Sequence, residues 1–155
     1  MKIEIPKDIQ DSKDYFSSAV SAIGVQIYVC KPKEGALNQF EWSFKAPEAE
    51  LFDGDGRLIG RHFNDEVNGG PAWELNDGSK VVGNKDKAQK HIVENSIPWL
   101  RLPTKVTKGN GRLSQINSIQ RLLTLGGKPP AQAPDKSQED KELRVYYSAT
   151  YYFNR

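Results

Sequence analysis

The stretch Arg144-Val145-Tyr146-Tyr147-Ser148-Ala149-Thr150-Tyr151-Tyr152-Phe153 decides how this chain is read. Val145, Tyr147, Ala149, Tyr151 and Phe153 fall on one parity, and Arg144, Tyr146, Ser148, Thr150 and Tyr152 on the other. A strand turns successive side chains to opposite faces, so the alternation predicts a long β-strand with one apolar face and one polar face carrying aromatic rings. Residues 40–45 repeat the pattern, with Phe40, Trp42 and Phe44 opposed to Glu41, Ser43 and Lys45. Further short β-type runs at residues 25–30, 49–52, 58–63, 72–75, 80–82, 99–106 and 113–124 are each closed by Gly, Pro, Asn or Asp. That cadence marks an all-β chain.

Asp53-Gly54-Asp55-Gly56 and Asn76-Asp77-Gly78-Ser79 separate such runs and predict two hairpins, because glycine accepts the positive φ that tight turns demand. Pro103 cannot donate to a ladder, so residues 99–106 are expected to form an edge strand or a bent one. Helix is expected only at residues 11–23, capped by Asp11 or Ser12, and at 86–95, capped by Asn84 or Asp86. The fold expectation is thus a single all-β domain, an antiparallel sandwich or closed barrel of roughly eight to ten strands with at most two short helices. Residues 126–142 hold prolines, glycines and acids with almost nothing apolar, and read as an exposed, flexible loop.

Charge and composition exclude several function classes. The 22 basic residues meet 20 acidic ones, leaving a formal net charge of +2, so no nucleic-acid partner is predicted. No apolar run approaches the roughly 18 residues needed to cross a bilayer, so no membrane span is expected and the chain reads as soluble. The first residues are charged at Lys2, Glu4, Lys7 and Asp8 and lack a secretory apolar region; either the protein is intracellular or a signal peptide has been removed. The single cysteine, Cys30, lies in an apolar run and is expected to be buried and unreactive. Metal spacings, Walker loops and dinucleotide fingerprints are missing, so neither cofactor nor metal is expected. Oligomeric state stays open.

Two function readings of different classes follow from the residues. The first is a non-catalytic module that binds a small molecule or sugar on an aromatic-lined surface built from Trp73, Trp99, Tyr146 and Tyr152 with Gln120, since rings and amides together suit such ligands. The alternative is a hydrolase or isomerase in which His62 is the general base, Glu74 or Asp77 orients it, and Arg121 stabilises a developing anion. His91, placed on a surface helix, is discounted. In Ile116-Asn117-Ser118-Ile119-Gln120-Arg121-Leu122-Leu123 the Gln and Arg point to opposite faces of a strand, each between apolar neighbours. A buried amide or guanidinium needs a partner, which for Arg121 is expected to be a carboxylate such as Glu74 or carbonyls at a strand end.

Ordered motifs carry a family resemblance. Gly24-Val25-Gln26-Ile27-Tyr28-Val29-Cys30, Ala46-Pro47-Glu48-Ala49-Glu50-Leu51, and Gly70-Pro71-Ala72-Trp73-Glu74 with Asp77-Gly78-Ser79 come first. Ile97-Pro98-Trp99-Leu100, Ile119-Gln120-Arg121-Leu122, Thr124-Leu125-Gly126-Gly127-Lys128-Pro129-Pro130 and Tyr147-Ser148-Ala149-Thr150-Tyr151-Tyr152-Phe153 complete the series. Over residues 24–153 the chain resembles a family of bacterial and fungal proteins, catalogued as domain of unknown function 3455, whose members are often secreted. The resemblance implies one domain and no particular chemistry. It also implies that a second cysteine, where members have one after the Gly-Gly-x-Pro stretch, could pair with the position of Cys30; residues 131–134 have none here.

Overall fold

The computed structural model describes residues 3–11, 13 and 15–155. Its strands in chain order are β1 (Phe16–Pro32), β2 (Phe40–Phe52), β3 (Leu58–Asp65), β4 (Gly70–Leu75), β5 (Lys80–Gly83), β6 (Gln89–His91), β7 (Trp99–Lys108), β8 (Ser118–Gly126) and β9 (Glu142–Asn154). Neighbouring strands pair antiparallel along β5-β4-β3-β2-β1-β9-β8-β7, and β5 pairs in turn with β7. The sheet therefore closes into an eight-stranded barrel, with β6 laid beside the start of β7 outside the ring. Helical structure among the described residues is limited to three single 3-10 turns, Lys7–Ile9, Lys85–Lys87 and Lys136–Gln138.

Alternation sets what faces inward. On β9 Tyr147, Ala149, Tyr151 and Phe153 are buried in the lumen, on β1 Val20 and Ala22, and on β8 Ile119. Long β1 serves both neighbours, pairing with β9 from Phe16 and with β2 from Ser21. Gly24 allows its closest approach: a Cβ there would stand 2.2 Å from the Glu48 carbonyl oxygen and 2.4 Å from the Ala49 Cα.

One end of the barrel is plugged. The loop after β7 turns Leu113 and Ile116 into the core, both essentially inaccessible to solvent. The turn between β4 and β5 holds that loop in place: Asp77 accepts from the Arg112 and Ser79 backbone amides, and Ser79 Oγ accepts from the Leu113 amide. At the other end the wall is incomplete. The β2–β3 ladder runs only over residues 49–52 of β2, although β2 begins at Phe40. Pairing stops two residues after Pro47, which has no N–H to give.

Three sequence expectations need correction. Of the segment 11–23 expected to be helical, residues 16–23 are strand; from Phe16 onward β9 pairs along it and β2 joins from Ser21, and those ladders override a modest helical period. Ser12, one of its two cap candidates, lies outside the described residues. Residues 86–95 give a three-residue turn rather than a helix: Asn84 does cap it, accepting from the Asp86 amide at 3.2 Å, but β7 captures Gln89–His91 as β6. The expected strand at 113–124 starts only at Ser118, its first residues forming the plug. The segment after Gly126 is mostly exposed; Cys30 exchanges backbone hydrogen bonds with Lys141 and Asp140, and Gly127 and Pro134 are buried.

Pro103 marks a bend, as its chemistry requires. Up to it β7 pairs with β6 and β8, and beyond it β7 turns to β5 through a register shift at Gly83. Cys30 is fully buried, and burial, reinforced by the nearby carboxylates of Glu139, Asp135 and Asp140, pushes its thiol up.

Candidate functional site

The incomplete end of the lumen holds a cavity of about 550 Å³. Trp73 of β4 is its floor. The indole is fully buried, stacks on His62 of β3 at 4.4 Å between ring centres and 11° between planes, and meets Tyr151 and Phe153 edge-on at 5.2 and 6.1 Å. Phe153 belongs to the packed half below, whereas His62 and Tyr151 line the cavity above. Exposed Phe44, Lys45, Lys85, Asp86 and Lys90 border the mouth.

Arg121 enters this space from β8. Its Nε and Nη2 both donate to the Pro98 carbonyl, at 3.0 and 2.8 Å. That carbonyl is fixed because a register shift in the β8–β9 ladder turns Thr124 toward the preceding segment, where its hydroxyl donates to the Ile97 carbonyl at 2.7 Å and shares a hydrogen bond with Ser96 at 2.9 Å. Among the described residues no carboxylate lies within ion-pair distance of Arg121. The carbonyl alternative thus applies, and Glu74 is not its partner.

The remaining polar groups of the cavity are neutral. His62 Nδ1 lies 2.8 Å from the Ala72 carbonyl oxygen, which can only accept, so Nδ1 carries the proton and Nε2 is an acceptor. Burial, assisted by the Arg121 charge, drives the His62 pKa down to about 3. Tyr147 and Tyr151 share a hydrogen bond of 3.0 Å between their hydroxyls, and burial raises both phenols. Tyr28, also raised by burial, donates to the Gly127 carbonyl at 2.6 Å. On two residues that border the cavity a polar atom closed to solvent has no hydrogen-bond partner among the described residues, Trp73 Nε1 and Gln26 Oε1. Native proteins leave few such groups, since each costs on the order of 1 to 3 kcal/mol.

The structure separates most of the residues nominated from sequence. Trp73, His62 and Arg121 meet in the lumen. Glu74 points to the outer wall and pairs with Arg61 at 3.2 Å, and Asp77 serves its turn, so neither can orient His62. Tyr146 stands on the outside, 83% exposed, and Tyr152 packs against Phe16 at 5.6 Å. Trp99 lies on the outer wall 6.3 Å from the ring of His91, which is on β6 rather than a helix. Gln120 is buried on the outer face, where it donates to the Ile9 carbonyl at 2.8 Å and accepts from Asn154 at 3.0 Å, tying the N-terminal segment to the barrel. Sequence reasoning missed Gln26, Tyr28 and Tyr151 as members of the site. For Gln26 a signal existed: an amide at inward parity inside an otherwise apolar run.

Among the described residues no group of three His, Cys, Asp or Glu side chains is placed to hold a metal ion, and no helix is long and apolar enough to cross a membrane. No curated protein and no solved structure matches the chain. A family model described as "Protein of unknown function (DUF3455)" does match it from residue 11 to residue 155, and over that span the chain belongs to this family.

Proposed function

We propose that this protein is a non-catalytic binding barrel that holds one small molecule in the open half of its lumen. The observation that carries this reading is the cavity itself, whose interior joins the rings of Trp73, His62 and Tyr151 and the side chains of Leu100 and Leu102 to a single guanidinium, that of Arg121. An eight-stranded barrel has an interior that side chains can fill or that can hold one small ligand. The cavity volume, about 550 Å³, lies within the usual span of small-molecule sites. The site differs from the aromatic surface expected from sequence, because of those rings only Trp73 faces the lumen.

The hydrolase alternative gains no support from the geometry. A carbonyl, not a carboxylate, orients His62, and a histidine held near pKa 3 is a weak base at neutral pH. The binding reading is tested by native mass spectrometry of the protein isolated from its own host. A discrete small-molecule adduct, lost on denaturation, is the expected result. A protein that is bare in that experiment and shows no thermal shift with any member of a broad metabolite panel would end it.

A further inference from the structure

We infer that the ligand is an anion, a small organic monocarboxylate whose carboxylate sits on Arg121 and whose apolar body lies against Trp73; this rests on the binding reading above. Three observations converge. Arg121 is the one ionised group in the interior of the cavity among the described residues, since His62 and the lumen tyrosines are neutral at pH 7 and Asp86 stands out at the mouth. Its partners are uncharged, the Pro98 carbonyl that accepts from Nε and Nη2 and the Tyr151 hydroxyl, so no carboxylate meets its charge. A half-buried guanidinium with no counter-charge is an expensive arrangement that a bound anion would relieve.

Lys85 and Lys90 at the mouth outnumber Asp86, while Lys45 there is paired with Glu142, so the entrance still favours an approaching anion. One cation argues for a single negative charge: a phosphate monoester would bring a second charge that no group in the lumen meets. The planar fork of a guanidinium also matches a carboxylate. Leu100, Leu102 and Ile97 supply apolar wall for the rest of the molecule.

The test compares octanoate, octanamide and octyl phosphate by calorimetric titration of the native protein at pH 7.5. The acid and the amide share shape and differ in charge. Octanoate is expected to bind about tenfold or more tightly than octanamide, the scale of a charge-assisted contact. Arg121→Gln is expected to remove that preference, bringing the two affinities to within about twofold of each other. Should Arg121→Gln fail to fold, the wild-type series alone decides. Equal affinity for acid and amide would overturn the inference and leave the binding reading standing. Tighter binding of octyl phosphate would overturn the choice of carboxylate. If none of the three binds, the inference falls, and the native mass spectrum decides separately whether the binding reading falls with it.

Discussion

Below Trp73, Val20, Leu51, Val81, Ile119 and Phe153 fill the barrel with Leu113 and Ile116 as its plug; above it, Gln26, His62, Arg121 and Tyr151 border space. Both halves hang on the same closed ring of strands, so strand geometry does not distinguish them. Side-chain chemistry does. The lower half is fitted apolar volume, whose stability comes from area removed from water and from contact. The upper half contains a cation without a counter-charge and two unpaired polar atoms, features that cost stability. A protein keeps such costs where a surface has something to do.

That contrast is broken most forcefully from below. Phe153→Ala removes a fully buried ring from the packed half and is expected to cost about 3 to 5 kcal/mol in urea denaturation. A loss under about 1 kcal/mol would mean that the lower half is not tightly packed after all.

Acid should weaken the upper half. Between pH 6.5 and about 3 the unfolded chain carries a proton on His62 that the folded chain excludes. Stability therefore falls as pH drops through that window, by up to about 1.4 kcal/mol per unit from this group. Asp65 adds to the loss only lower down: hydrogen bonds from Lys80 and Asn68 hold its carboxyl well below the usual range, so its contribution disappears as pH falls below 3.8. Denaturation midpoints of His62→Gln and the parent between pH 7 and 4 check this. The variant should show the flatter profile, and parallel profiles would show that His62 is not neutral in the fold.

Smaller effects sharpen the comparison further. Arg121→Gln gives up hydrogen bonds to uncharged partners, the Pro98 carbonyl and the Tyr151 hydroxyl, and leaves no carboxylate behind, so the expected cost is about 1 to 2 kcal/mol, below the roughly 3 to 5 kcal/mol of a broken buried ion pair. A loss in that higher range, measured by urea titration, would show that the upper half depends on Arg121 for its structure. Trp73→Phe sits on the boundary. It loses ring area but also removes the unpaired N–H, and the two terms should nearly cancel, leaving a change within about 1 kcal/mol.

How much of this the sequence revealed depends on range. The alternation in residues 144–153 and 40–45 and the turn at residues 53–56 are local, and each became the expected element, with Asp53 accepting from the Asp55 and Arg57 amides to set the turn. Residues 16–23 misled because Ala favours helix while Val and Ile favour strand, so local preferences oppose one another and distant β9 settled the conformation. The site was only partly legible for a related reason. Parity showed that Gln120 and Arg121 part company, but not which face of β8 was the lumen. With Gln120 outward on Ile9 and Arg121 inward on Pro98, that question is answered by closure of the ring, which no neighbouring residue encodes. Glu74 was misjudged by one position, since Trp73 takes the inward place beside it.

The gap between β2 and β3 has a consequence for association. Residues 40–48 of β2 pair with β1 alone and so present a row of backbone amides and carbonyls on their far side. Such an exposed edge is a template for strand addition by another chain. Here it carries Glu41, Lys45, Pro47 and Glu48, the charges and the imino acid by which natural sheets blunt their edges, and a register shift beside Tyr28 bends it. The opening into the lumen is thereby guarded against edge-to-edge polymerisation without being covered.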